Sequence, residues 1–377
     1  MIPLCVPDIG EGDLRAVQEV VRSGWLTHGP KTEEFEERFA EYIGVKRAVA
    51  MNSCTSALFL AIKAQGITGE VILPSFTFVA SANAVVTAGA IPVFADIEYD
   101  TCNIDPTSIE ERITQRTEAI MVVHYGGQSC QMDRIMAIAE RHGLALIEDS
   151  AETIGGEFRG RKAGSFGTGC FSFFPTKNIT TGEGGMLTTD DEALADKVKA
   201  LVGHGIFSDT FQREKAERPW FRAASLAGYN FRMSNILGAL GVEQLKRIEQ
   251  LNEARRRHAA YLSTRLADVE EIDLPVESDG CRHVYQMYTI KVKPPIDRNR
   301  FVLALREKGI GASVHFDPPA HLQPYYQERF GGNADLPVTE QVAKRIVTLP
   351  MYPRLTEHEL ESIATAVMTT LSEARAA

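Results

Sequence analysis

The chain has 377 residues, 44% of them hydrophobic and 24% charged, with a formal charge of −10 from 40 Lys+Arg against 50 Asp+Glu. This is the composition of an ordinary globular protein, and its length exceeds what one hydrophobic core usually supports, so two domains are expected. The acidic balance excludes bulk attraction to nucleic acid or an anionic membrane, so a phosphate-bearing ligand must be held by local groups.

The N-terminal stretch MIPLCVPDIGEGD carries acids early and has no basic-then-apolar leader. No apolar run approaches the length of a bilayer span. The six cysteines, Cys5, Cys54, Cys102, Cys130, Cys170 and Cys281, form no CxxC pair. They read as free thiols in a reducing cytoplasm, with no metal site expected.

From Arg47 onward, short apolar runs alternate with helical patterns. Strands are expected at Arg47–Met51, Val71–Leu73, Pro92–Ala95, Ala119–Val123, Leu144–Glu148, Cys170–Phe174 and Gly185–Thr188. Helices are expected at Thr55–Gln65, Ser81–Ala88 and Met132–His142. Such alternation predicts an α/β fold with a mostly parallel central sheet, here in a large domain over 1–245. The continuous apolar runs AIMVVH and LALIED suit strands covered on both faces. Asn235 to Ala267 reads as one long helix that links this domain to a smaller C-terminal α/β domain over 246–377. There a strand is expected in VYQMYTIKV, a helix at Asn299–Lys308, a strand at Ala312–Phe316 and a closing helix at Thr356–Leu371.

Four segments carry chemistry. FSFFPTKNITTGEGGMLTT (171–189) leads from a strand through Ser172 to Lys177 and a glycine-rich turn that presents one side chain. A lysine confined among other groups can serve as a Schiff-base amine, although an arbitrary loop lysine is usually only solvated. LALIEDSAETIG (144–155) ends an apolar strand with acids, where open α/β sheets place ligand-binding groups. A carboxylate there can keep a heterocyclic nitrogen protonated, as pyridoxal phosphate requires. Asp149 suits that role. Glu148 is the alternative, and strand alternation sends the two to opposite faces. In MNSCTSALFL (51–60), Thr55 and Ser56 stand where a strand meets a helix N-terminus, a place for a phosphate dianion or for a plain helix cap. In PSFTFVASAN (74–83), Phe78, with Phe76 as the alternative, can stack on a flat heterocycle or fill core.

In content and order these segments resemble the sugar aminotransferases of the DegT/DnrJ/EryC1/StrS family, fold-type-I pyridoxal-phosphate enzymes. The resemblance extends through SGWLTHGPKTEEFEERFAEYIG, EDSAETIGG, HGI at 204–206, GYNFRMSNILGALGVEQL, KGIGASVHFDPPAHLQPYY and LPMYPRLT. It implies that Lys177 binds the cofactor covalently and shuttles the proton, and that Asp149 faces the pyridine nitrogen. Phe78 would stack on the ring, while Thr55, Ser56 and Ser172 contact the phosphate. Asn230 would reach the phosphate from the partner subunit, giving a homodimer with shared active sites. Glu152 would lie beside the cofactor, at a position where many members carry Gln or His.

A branch of the family with histidine in place of the lysine removes a hydroxyl, so Lys177 favours transamination. The implied cycle takes an amino group from L-glutamate, passes through pyridoxamine 5′-phosphate and delivers the nitrogen to a nucleotide-linked keto sugar. TTGEGGM and GYNFRMSN look more like the branch that acts at C4 of 4-keto-6-deoxyhexoses. The alternatives are action at C3 or on another cyclic ketone, a pyridoxal-phosphate-dependent dehydratase, and a cofactor-binding regulator. His315 and His321 fall near expected substrate contacts, where a lone histidine is more often structural. The stretch Phe207–Leu226 reads as a loop over the sugar nucleotide or as a variable surface loop.

Overall fold

A computed structural model describes residues 1–207, 220, 222–331 and 335–376. Most of the stretch Phe207–Leu226 therefore lies outside the described residues. The first nine strands are β1 (Arg47–Met51), β2 (Glu70–Pro74), β3 (Ile91–Ala95), β4 (Thr117–Val123), β5 (Ala145–Asp149), β6 (Glu157–Phe158), β7 (Arg161–Lys162), β8 (Thr168–Ser172) and β9 (Gly185–Thr189). Seven of them form one sheet in the order β1-β9-β8-β5-β4-β2-β3. Only β9 runs antiparallel to its neighbours, and all other pairings are parallel. The fold is α/β with a mostly parallel central sheet, and the register Val123↔Asp149↔Cys170 brings the carboxyl ends of β4, β5 and β8 level.

Every residue of β2 and β8 is buried, as their lack of a polar alternation predicts. Alternation acts instead on which core each side chain joins. Phe171 and Phe173 point to one face and pack on Phe35 and Phe39 of the helix Pro30–Ile43, with ring centroids 4.9 Å apart for Phe39–Phe171 and 5.0 Å for Phe35–Phe173. Ser172 and Phe174 point the other way, into a cavity. All four rings of this cluster are fully buried. Phe39→Ala should therefore cost about 3–5 kcal/mol, a loss that a urea midpoint at pH 7 would register.

After β9 come the helices Glu192–Val202, Asn235–Leu245 and Ile248–Leu266. The single helix expected over Asn235–Ala267 is thus two. The break falls at Arg247, whose backbone leaves helical values (φ −109°, ψ 1°). Its guanidinium is held by Asp8 and Asp13 of the N-terminal segment, each at 2.6 Å.

The remaining strands are β10 (Ile272–Asp273), β11 (Cys281–Arg282), β12 (Tyr288–Val292) and β13 (Ile346–Leu349). A small sheet β10-β12-β13 packs with the helices Ile248–Leu266, Arg298–Glu307 and Glu357–Ala376 around a second core, which Ile2, Cys5 and Val6 join from the other end of the chain. No strand forms at Ala312–Phe316. Only Ser313 bridges to Thr348, and the chain then turns its side chains toward the large sheet. No helix among the described residues is long and apolar enough to cross a membrane.

Candidate active site

At the carboxyl edge of the parallel strands lies a cavity of about 400 Å³. Loops after β1, β2, β5 and β8 supply Thr55, Phe78, Asp149, Glu152, Ser172 and Lys177. The C-terminal part contributes Gln286, Met287, His315, Phe316 and Thr348, and the N-terminus contributes Leu4 and Cys5. Parallel strands that share a direction collect their turns at one edge, so residues far apart in sequence converge there.

Lys177 rides on a loop closed by two backbone bonds, Phe173 N–H to Gly184 O at 3.0 Å and Thr181 N–H to Phe173 O at 2.9 Å. Gln286 braces the preceding peptide, its Nε2 donating to Thr176 O at 2.9 Å. The Lys177 amine lies 3.4 Å from Glu152 Oε1, and Glu152 Oε2 accepts from the Gly126 N–H at 2.9 Å. Glu152 is thereby fixed at one oxygen and presents the other to the lysine.

Asp149 ends β5 inside the cavity wall. Its Oδ2 accepts from Ser81 Oγ at 2.7 Å and its Oδ1 from the Ala151 N–H at 3.2 Å. Burial pushes its carboxyl above the ordinary range. The Ser81 and Ala151 bonds and the charge of Lys177 pull the other way, while the charge of Glu152 adds to the rise. Glu148 faces away from the cavity, where it accepts from the Gly164 and Gly167 N–H groups at 2.8 Å each. Its Oε2 also meets His124 Nε2 at 3.0 Å, and His124 Nδ1 accepts from the Cys130 N–H, which leaves Nε2 as the protonated nitrogen. Every oxygen of Glu148 is engaged in holding loops together, so Asp149 is the carboxylate left for a ligand.

The helix Cys54–Gln65 opens on the cavity with Ser53 as its cap, whose Oγ accepts from the Ser56 N–H at 3.1 Å. Ser53 and Thr55 line the cavity. Ser56 does not, because its hydroxyl donates to Asn52 Oδ1 at 2.7 Å, back along the chain. Gly185 lets β9 run hard against this helix start: a Cβ there would lie 2.2 Å from the Ser53 carbonyl carbon and 2.5 Å from Cys54 N.

Phe78 is 61% exposed and lines the cavity, whereas Phe76 is fully buried between Tyr125 and Phe316. His315 reaches the cavity wall. His321 does not line it, its Nδ1 being paired with Ser75 Oγ at 2.6 Å. Asn230 is exposed, bridged to Gly203, and lies outside the cavity of its own chain. Ser53 has the residue type of a helix cap in sequence, and the structure adds that it lines the cavity. Gln286, Cys5 and Leu4 carry no local signal, since only the fold brings them to Lys177.

A model of the DegT/DnrJ/EryC1/StrS aminotransferase family matches residues 7–368. The chain belongs to this family. The spore coat polysaccharide biosynthesis protein SpsC of Bacillus subtilis (strain 168) is 42% identical over 374 residues, 97% of this chain and 96% of SpsC. Among solved structures, PseC of Helicobacter pylori, an aminotransferase involved in the biosynthesis of pseudoaminic acid, superposes with a TM-score of 0.92 at 31% identity over 99% of each chain. Spr1654 of Streptococcus pneumoniae, solved in a PLP form, superposes with a TM-score of 0.91 at 28% identity, again over 99% of each chain.

The aminotransferase has the fold-type-I architecture and uses pyridoxal 5′-phosphate. The side chains in its cavity fit that group. An amine, a buried carboxylate aimed inward, an exposed aromatic face and an open helix N-terminus line one space. Gly185→Ala would push the helix start away from β9, a displacement worth about 1–3 kcal/mol. The expected result is a weaker rise in melting temperature on adding the cofactor than the unaltered aminotransferase shows.

Proposed function

We propose that the enzyme transfers an amino group from L-glutamate to C4 of a nucleotide-linked 4-keto-6-deoxyhexose, in the cytoplasm and as a homodimer with shared sites. The observation that carries this reading is the Lys177 amine, held 3.4 Å from Glu152 in a cavity whose wall also bears Asp149. When bound, pyridoxal phosphate supplies a carbonyl for the amine and an electron sink for the carbon that loses its proton. The chain's own residues would do the rest. Lys177 would bind the cofactor, then hold and move a proton as general base and acid. Glu152 would steady the free ammonium between those moves. Asp149 would keep the ring nitrogen protonated, Phe78 would cover the ring, and Thr55 and Ser172 would serve the phosphate along with the helix N-terminus, while the Ser56 hydroxyl stays on Asn52. The relatives support a sugar substrate: SpsC is a spore coat polysaccharide biosynthesis protein by name, and Spr1654 is a sugar aminotransferase by name.

Incubating holoenzyme with L-glutamate and a panel of dTDP-, UDP- and GDP-linked 4-keto-6-deoxyhexoses tests the reaction. Stoichiometric 2-oxoglutarate and a 4-amino sugar are expected, and a dehydrated sugar with no glutamate consumed would point to the dehydratase instead. Asn230 supports the shared site, since it is exposed and does not line the cavity of its own chain. Asn230→Ala should weaken cofactor affinity several-fold, about 1 kcal/mol for one hydrogen bond. At a cofactor concentration that saturates wild type but not the Asn230→Ala homodimer, mixed dimers of Asn230→Ala and Lys177→Ala chains should be more active than the two homodimers together, and a mixture no better than its parts would remove the cross-subunit contact.

A further inference from the structure

His315 is locked into the cavity wall with one ring nitrogen to spare. The bridge between Ser313 and Thr348 ties its segment to β13. The His315 carbonyl accepts from Tyr125 Oη–H at 2.6 Å, and its Nδ1 meets Thr348 Oγ1 at 2.9 Å. The next residue, Phe316, stands edge-on to the imidazole at 5.6 Å and packs on Phe78 and Tyr125. Among the described residues no group hydrogen-bonds His315 Nε2. A polar ring held this firmly has lost its rotamer entropy before any ligand arrives.

The charge state of the ring narrows what it can bind. Burial holds the imidazole below its usual value. The Glu152 carboxylate opposes that and the Lys177 ammonium adds to it, with the burial contribution largest. A neutral imidazole offers one N–H or one lone pair and no net charge. It is poorly matched to the two carboxylates of L-glutamate or to a diphosphate. It is well matched to a hydroxyl, which both donates and accepts. We infer that His315 Nε2 hydrogen-bonds a ring hydroxyl of the sugar acceptor, making His315 a specificity-determining residue of the acceptor half-reaction. This rests on the sugar-acceptor reading above. A pocket that pairs with a substrate hydroxyl also rejects analogues that lack it, because its own polar atom is then left unpaired.

The test separates the two halves of the reaction in holoenzyme, followed by cofactor absorbance. L-Glutamate drives the first half; dTDP-, UDP- and GDP-linked 4-keto-6-deoxyhexoses drive the second. His315→Leu should raise the half-saturating sugar concentration about tenfold, one well-placed hydrogen bond, and by clearly more than it raises the glutamate concentration. His315→Gln, which can place a polar group near Nε2, should recover most of the loss. Equal effects on both halves, or none on either, would overturn the inference. If His315→Leu melts early, Thr348→Val takes its place, since it removes only the hydroxyl on Nδ1. The same bias toward the sugar half is expected, and its absence overturns the inference. A wild-type enzyme that consumes glutamate yet accepts none of the three sugars overturns the acceptor reading and this inference together, an outcome distinct from sugar turnover that ignores His315.

Discussion

Replacing Lys177 by alanine is expected to lower turnover at least about 10³-fold, because in the proposed mechanism one side chain would carry both the covalent bond to the cofactor and the proton transfers. Release of 2-oxoglutarate from L-glutamate measures this directly. Cofactor should still bind without the covalent link, since Asp149, Phe78 and the helix start at Ser53 remain. Borohydride reduction followed by peptide mapping should then mark the 177 peptide in wild type and leave it unmarked in the variant. Lys177→Arg separates charge from nucleophilicity. A guanidinium can keep the ion pair with Glu152, whose carboxylate sits 3.4 Å from the amine, but it does not give up its proton. It should be as inactive as alanine. Substantial turnover by either variant, or a label on another lysine, would move the chemistry elsewhere.

The parts of this site that sequence made legible are those in which local periodicity decides direction. In FSFF the alternation of a strand sends Phe171 and Phe173 to the aromatic core and Ser172 and Phe174 to the cavity. In IED the same rule separates Glu148 from Asp149, and the structure shows why both acids are tolerated: one is saturated by loop N–H groups and the other faces the ligand space. Phe76 and Phe78 share the same parity, so alternation does not choose between them; the turn into the helix Val79–Ala88 buries the first and exposes the second. What local pattern does not encode is long-range closure. Gln286 reaches Thr176 across 110 residues, and Leu4 and Cys5 enter the wall from the chain start. Ala312–Phe316 has the apolar alternation of a strand, yet its second half is drawn toward the large sheet by Tyr125 and Phe76. The stretch Asn235–Ala267 holds no proline and so carries no local signal for a break at Arg247, where ion pairs to Asp8 and Asp13 hold the side chain. Ser56 looks like a phosphate ligand until the cap geometry shows its hydroxyl turned to Asn52.

Asp149→Asn should cripple catalysis and stabilise the cofactor-free protein at once. In the proposed mechanism Asp149 would be the charged partner of the ring nitrogen, and its replacement by a neutral group gives the activity loss, about 10²–10³-fold in kcat for removing one preorganised electrostatic contact. The stability gain follows from burial. In the folded chain the Asp149 carboxyl keeps its proton to higher pH than an exposed aspartate does, so its ionised form works against the fold. That penalty is absent below the ordinary carboxylate range, near about 4. It grows as pH rises through the displaced value and is constant above it. An amide avoids it while keeping the bonds: its oxygen can accept from the Ala151 N–H and its NH₂ can donate to Ser81 Oγ, which still has Thr77 Oγ1 at 2.8 Å for its own proton. The melting temperature of the variant should therefore exceed that of wild type by an amount that widens as pH rises from the ordinary carboxylate value toward the displaced one and is level above it. A gap already at its full size below the ordinary carboxylate range would assign the gain to packing. Added cofactor should narrow the gap, because the wild-type carboxylate then meets a cation that the amide cannot match. Stability given up in the empty cavity is recovered only when the ligand arrives, which is the behaviour of a group placed for binding and not for folding.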